Sequence, residues 1–237
     1  RIVHPNVCSV FDFGIQDGTY FLAMDYLVGE TVARLMRAAW RTPDVATRPG
    51  TTRVFARIVA DACEGLHAAH ESRGDDGRHL GVVHRDVTPQ NLFAGYDGSV
   101  RVVDFGVAMS TGSIHHTVAG TLKGKIPYMS PEQVNLEVID RRSDIWSLGV
   151  CLWEMLAGRR LFARASDLET LKAVLGAPIP LASSAGPHVP ALFDPIVARA
   201  LSRDRDARYA TAREMGRDLA IAIGALGSGG AADLAEL

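Results

Sequence analysis

GVVHRDVTPQNLFAGYDGSVRVVDFG, residues 81–106, is the stretch whose reading decides how the chain folds. Within it two short apolar runs, Leu92 to Ala94 and Val100 to Val103, flank Asp97-Gly98. An Asp-Gly pair between apolar runs predicts a hairpin, because a tight turn there needs residues that tolerate positive φ. Asn91 and Asp104 start and finish that hairpin, and Asp86 lies five residues before Asn91. A hairpin returns its ends close together, so Asp86, Asn91 and Asp104 converge on one small volume. Taken singly, each is better explained as a turn residue. Their joint spacing is what points to chemistry.

The order H-R-D-x-x-x-x-N at 84–91, followed by D-F-G at 104–106, resembles the signature of eukaryotic-like serine/threonine protein kinases in their bacterial form. The resemblance implies an α+β, protein-kinase-like fold with a mostly helical C-lobe and a partial N-lobe β-sheet. It also implies ATP and Mg2+ as cofactors and Ser/Thr-bearing proteins as substrates. Phosphoryl transfer asks the protein to align a hydroxyl with the γ-phosphate and to neutralise developing charge. By resemblance, Asp86 accepts the hydroxyl proton while Asn91 and Asp104 hold the metal through hard oxygen donors. Arg85, just before Asp86, pairs in such proteins with a phosphate on the activation loop. The hydroxyl-rich stretch 107–131 resembles that activation segment, closing in Tyr128-Met129-Ser130-Pro131-Glu132, and Thr117 or Thr121 is the expected phosphosite.

The composition is that of an ordinary globular protein. With 237 residues and a net charge of -2, the chain can bury a sizeable core and gives no cause to invoke nucleic acid. Cys8, Cys63 and Cys151 are odd in number and lack C-x-x-C spacing, which fits buried thiols in a reducing cytosol better than a disulfide or zinc framework. No apolar run is long enough to span a bilayer and the N-terminus has no signal-peptide architecture. A cytoplasmic chain is expected, with any membrane anchor of a longer parent lying outside it. His67, His70 and His79 lack partners at metal-ligand spacing and read as surface histidines.

Taken in order, Val7 to Phe13 and Tyr20 to Met24 read as strands around a Gly18 turn. By resemblance Met24 is the gatekeeper, Asp25 and Leu27 offer hinge backbone to adenine, and Phe93 forms the apolar floor beneath it. A plain hairpin edge explains the first three, and a core aromatic the fourth, equally well. Residues 30–39 have helical spacing and 42–52 read as a loop; Val54, Ile58, Ala62 and Leu66 then mark an amphipathic helix. Residues 71–79 read as a solvated insertion. Ser143 to Ala157 is apolar almost all round, hence a buried helix, stopped by Gly158. By resemblance its Asp144 hydrogen-bonds the catalytic-loop backbone and Glu132 pairs with Arg208. Residues 167–175, 189–201 and 211–226 read as the remaining helices. The expected divisions are 1–27 for residual N-lobe strands and hinge, 28–226 for the C-lobe, and 227–237 for a flexible linker.

Three departures from the family pattern stand out. Thr88 occupies the place of the lysine two residues after the catalytic aspartate, and Lys125 occupies the place of a threonine three residues before Tyr128. Either the two have exchanged, with Lys125 supplying the charge missing at Thr88, or Lys125 is a solvated surface lysine. A Gly-rich loop and its partner lysine do not occur, so an N-terminally truncated fragment of low activity is expected. Rival functions are a pseudokinase or docking module, and a small-molecule phosphotransferase; the latter lacks the P-E closure seen at 131–132.

Overall fold

Side chains from Ser143 to Leu156 are all buried on helix α5, Arg142–Ala157, as its all-round apolar pattern requires. Gly158 ends it at φ 67, a left-handed conformation that glycine adopts without a Cβ penalty. The molecule, described by a computed structural model over residues 2–46, 48–105, 124–186 and 188–227, is built around this helix. Helix α3, Pro49–His70, packs on it and carries Val54, Ile58, Ala62 and Leu66 into the core. Helix α8, Ala212–Ala225, closes over α3 and is capped by the Thr211 hydroxyl accepting the Glu214 N–H. Helix α7, Asp194–Ala200, approaches so closely that a Cβ on Gly149 would sit 2.9 Å from that of Ala200. The expected helix at 189–201 is therefore shorter, its first part being a 3-10 turn at Ala191–Phe193 between Pro190 and Pro195.

The strands form two small antiparallel sheets. In one, β1 (Val10–Gln16) pairs with β2 (Thr19–Met24) through a two-residue turn in which Asp17 and Gly18 both have positive φ. In the other, β3 (Gly29–Thr31), β4 (Leu92–Gly95) and β5 (Val100–Val102) lie in that order. The predicted hairpin is thus present, with Gly98 at φ 79 and the Asp97 carboxylate accepting the Ser99 N–H and hydroxyl. The strand predicted from Val7 starts later, because Val7 and Cys8 are drawn to the edge of β5, where the Cys8 N–H donates to Val102 O. The helix predicted from Glu30 begins at Val32 as α1, Val32–Arg41, since residues 29–31 are held in β3 by β4. The stretch 42–52, expected as loop, instead contains the short helix α2, Pro43–Ala46, and the first turn of α3. Proline at a first helical turn removes only an N–H that the helix leaves unpaired.

The insertion at 71–79 folds back on itself through an Arg73–His79 bridge. Cys8, Cys63 and Cys151 are buried and free, and burial pushes the Cys63 and Cys151 thiols up. No described helix is long and apolar enough to cross a membrane. The expected phosphosites Thr117 and Thr121 lie outside the described residues, as does the linker beyond Gly227.

The tie between helix α4, Pro131–Val134, and the C-terminal helices is a buried ion pair. Arg208 donates to both Glu132 oxygens at 2.7 and 2.8 Å, with side chains 0% and 4% exposed. Arg208→Ala is expected to cost about 3 to 5 kcal/mol by stranding a buried carboxylate. Thermal unfolding should fall by roughly 10 °C for a domain of this size, and an unchanged midpoint contradicts the pair. Burial opposes the Glu132 charge, but the Arg208 and Ser143 bonds outweigh it and hold its pKa down at about 2, from 4.5. A depressed folded pKa stabilises fully above about pH 4.5 and loses that stabilisation as pH falls towards 2. Acid titration of unfolding should therefore show about 3 kcal/mol that Glu132→Gln removes.

Candidate active site

Asp144 stands in the first turn of α5, fully buried, and its carboxylate is filled by three partners. Its oxygens accept the His84 N–H and the Arg85 N–H, both at 2.8 Å, and meet His70 Nε2 at 2.7 Å. The catalytic-loop stretch is thereby hung from the central helix. Arg85 is held at φ 66, a conformation unusual for a side-chain-bearing residue. His70 is not the surface residue expected from its spacing: it is buried at the end of α3 because Asp144 lies beneath it. His67 is buried as well, while His79 is exposed. No group of three or more metal-ligating side chains occurs among the described residues.

The structure brings Asp86, Asn91 and Lys125 together. Asn91 Nδ2 donates to the Asp86 carbonyl at 2.8 Å and to Asp86 Oδ2 at 3.0 Å, and Lys125 Nζ lies 2.5 Å from that same Oδ2. Thr88 is buried, and its carbonyl accepts the Asn91 N–H at 2.9 Å, which closes the turn between them. Across the hairpin the Val103 N–H donates to Asn91 O, so Asp104, exposed and at φ 57, follows directly on Asn91's backbone partner. His84 donates its Nε2–H to Val103 O at 2.9 Å and packs its ring on Phe105, centroids 4.7 Å apart. Val10, on β1, is 37% exposed.

Both amide hydrogens of Asn91 are directed at Asp86, which leaves Asn91 Oδ1 facing no donor among the described residues. Asn91 Oδ1 and the Asp104 carboxylate are both hard oxygen donors, the type that suits a magnesium ion completing its shell with water and phosphate. The candidate adenine residues are spread along the connection between the two sheets. Met24 ends β2, and Asp25 is anchored by its N–H to Ser9 O at 3.0 Å while its carboxylate accepts the Ser9 N–H. Leu27 is half-buried just before β3, and Phe93, on β4, lies against Gly29, two residues further on.

Gln133 joins the site without belonging to the H-R-D, D-F-G or P-E motifs. Its Oε1 accepts the Ser130 N–H, the Ser130 hydroxyl accepts the Gln133 N–H, and its Nε2 donates to Arg85 O at 2.8 Å. The first two bonds form a capping box across Ser130 and Gln133. The third reaches across to the catalytic loop and has no signature in local sequence.

A protein-kinase core with its catalytic loop, hairpin and capped segment is the class these features define. The protein kinase domain family matches residues 1–216, and the chain belongs to that family. It is similar to tyrosine-protein kinase MasK of Myxococcus xanthus, 38% identical over 212 residues covering 90% of this chain and 32% of that protein. It is also similar to serine/threonine-protein kinase PrkC of Bacillus subtilis, 30% identical over 222 residues, 94% of this chain and 32% of that protein. Serine/threonine-protein kinase PknL of Mycobacterium tuberculosis is 34% identical over 220 residues, 92% of this chain and 51% of that protein. The chain thus spans about a third to a half of these relatives.

Removing Asp144 leaves two buried backbone N–H groups without acceptors. Asp144→Ala should lower stability by about 2 to 5 kcal/mol and speed hydrogen exchange at the His84 and Arg85 amides specifically. Protection at those amides equal to that of the parent sequence rules out the suspension of the loop from α5.

Proposed function

We propose that this chain is the catalytic region of a protein kinase that transfers the γ-phosphoryl group of ATP to Ser or Thr hydroxyls of proteins. The convergence of Asp86, Asn91 and Lys125 within hydrogen-bond distance of one carboxylate oxygen, at the foot of the hairpin bearing Asp104, carries it. Asp86 orients the acceptor hydroxyl and takes its proton as that oxygen attacks phosphorus, with ADP as the leaving group. Asn91 and Asp104 would hold Mg2+, which would neutralise the phosphate charge. Lys125 steadies the transferring phosphoryl group in place of the lysine that Thr88 replaces, and its position on Asp86 favours this over a solvated surface lysine.

Residues 1–27 are assigned to the N-lobe and hinge and 28–226 to the C-lobe, with adenine between Leu27 and Phe93 and Met24 as gatekeeper. Arg85 Nε is buried without a partner among the described residues, which favours an incoming anion from the activation segment. The Ser/Thr preference rests on HRDVTPQN, which lacks the A-A-R loop of tyrosine kinases, and on the names of PrkC and PknL; MasK is named a tyrosine kinase. ATP chemistry and free buried thiols favour a cytoplasmic setting.

A docking module without turnover is the second reading, favoured by the direct neutralisation of Asp86 by Lys125. The full-length gene product with Mg2+ and labelled ATP separates the two, using peptides that differ only in a Ser, Thr or Tyr acceptor. Transfer to Ser and Thr peptides should fall about 10² to 10⁴-fold in Asp86→Asn. Lys125→Ala should lower kcat by about 10²-fold with little change in the melting midpoint. Wild-type turnover in Lys125→Ala eliminates the exchange of roles, and nucleotide binding with no transfer in the parent establishes the docking module.

A further inference from the structure

The groove beside the catalytic loop carries more positive charge than the reaction uses. It runs between α1 and the loop, has a volume of about 210 Å³, and is walled by Arg34, Arg37, Trp40, Pro89, Gln90 and Arg160 among others. Three of those residues are arginines and the lining contains no carboxylate, in a chain whose net charge is -2. The wall is fixed to the loop: the Ala33 N–H donates to Pro89 O at 2.8 Å.

The three arginines differ in how far they are committed. Arg160 is held to the buried Glu154 at 2.8 Å, and its guanidinium lies over the rings of Trp40 and Tyr128, 6.0 and 5.7 Å from the centroids. It is thus pre-oriented while still 46% exposed. Arg34 bonds Glu30 at 3.0 Å with its side chain 65% exposed. Arg37 is exposed and has no carboxylate partner among the described residues. Guanidinium groups have donors and no acceptors, in a fork that matches a carboxylate or phosphate. A peptide side chain with two acceptor oxygens is what such a wall favours.

Chain length limits where that side chain can lie. Gln90 follows Asp86 by four residues, so the groove begins no more than about 14 Å from the candidate base, at roughly 3.3 to 3.6 Å per residue. An extended substrate whose hydroxyl reaches Asp86 covers that span in about four residues.

We infer that the Arg34, Arg37 and Arg160 groove selects protein substrates carrying an Asp or Glu side chain within about four residues of the accepted hydroxyl. The inference rests on the kinase reading of Asp86 and deepens it to a substrate class. Recognition of this kind is electrostatic and partly exposed, so it acts mainly on KM and weakens as salt rises.

The test uses the full-length protein and Ser peptides in which Asp, Ala or Arg is placed at each of the four positions on either side of the acceptor. At one or more positions kcat/KM should be about fivefold or more higher for Asp than for Ala, and lower still for Arg. Arg37→Glu should invert that ratio towards the Arg peptide, and Arg37→Lys should retain it in part. A second readout is independent of turnover: anisotropy of the labelled Asp peptide on the Asp86→Asn protein, which should bind more tightly than the Ala peptide and lose that margin in Arg37→Glu. Equal kcat/KM for Asp and Ala peptides at all eight positions overturns the groove and leaves the kinase reading intact. Absence of transfer to every peptide overturns the kinase reading, and the anisotropy margin alone then decides the groove.

Discussion

A single buried carboxylate, Asp144, supports the candidate active site of this molecule. Helix α5 is covered on every side, so its first turn has a fixed place in the core, and a carboxylate there must find all its donors within the protein. It finds them in two consecutive backbone amides of the catalytic loop and in His70 at the end of α3. Those bonds compensate the positive φ of Arg85, a conformation that costs on the order of 1 kcal/mol or more and persists only where its surroundings over-determine it. The loop's shape, and hence the direction of Asp86, is set by the core beneath it.

A second set of ties carries the segment on the other side of the site. Ser147 on α5 donates to Tyr128 O, and the Tyr128 hydroxyl donates to Glu154, also on α5. The Tyr128 N–H in turn bonds Lys125 O, so the backbone that presents Lys125 is fastened to the same helix as the loop that presents Asp86. Arg160 bonds both Tyr128 and Glu154, which sets one wall of the basic groove on this support as well. Gln133 links the two sets by donating to Arg85 O.

Membership of the protein kinase family accounts for the architecture. Thr88 is buried where its carbonyl closes the turn to Asn91, so its side chain is not placed as an exposed charge-bearing arm. Lys125, half-exposed, places its ammonium 2.5 Å from the Asp86 carboxylate.

Local pattern determined a large part of this protein. The all-round apolar run at 143–157, the Asp97-Gly98 hairpin, the period of Val54 to Leu66 and the spacing of Asp86, Asn91 and Asp104 each follow from contacts between near neighbours in the chain. Tertiary structure decided what depends on partners far away in sequence. Strand β3 takes residues 29–31 from the helix they would otherwise begin, because β4 offers a ladder there. His70 becomes buried because Asp144, 74 residues on, needs a neighbour, and Gln133 reaches a carbonyl 48 residues back. Lys125 meets the carboxylate of Asp86, 39 residues away. Periodicity records which face of an element is buried; it cannot record which distant polar group that burial brings into reach, since hydrogen bonds and ion pairs are set by the packing of whole elements.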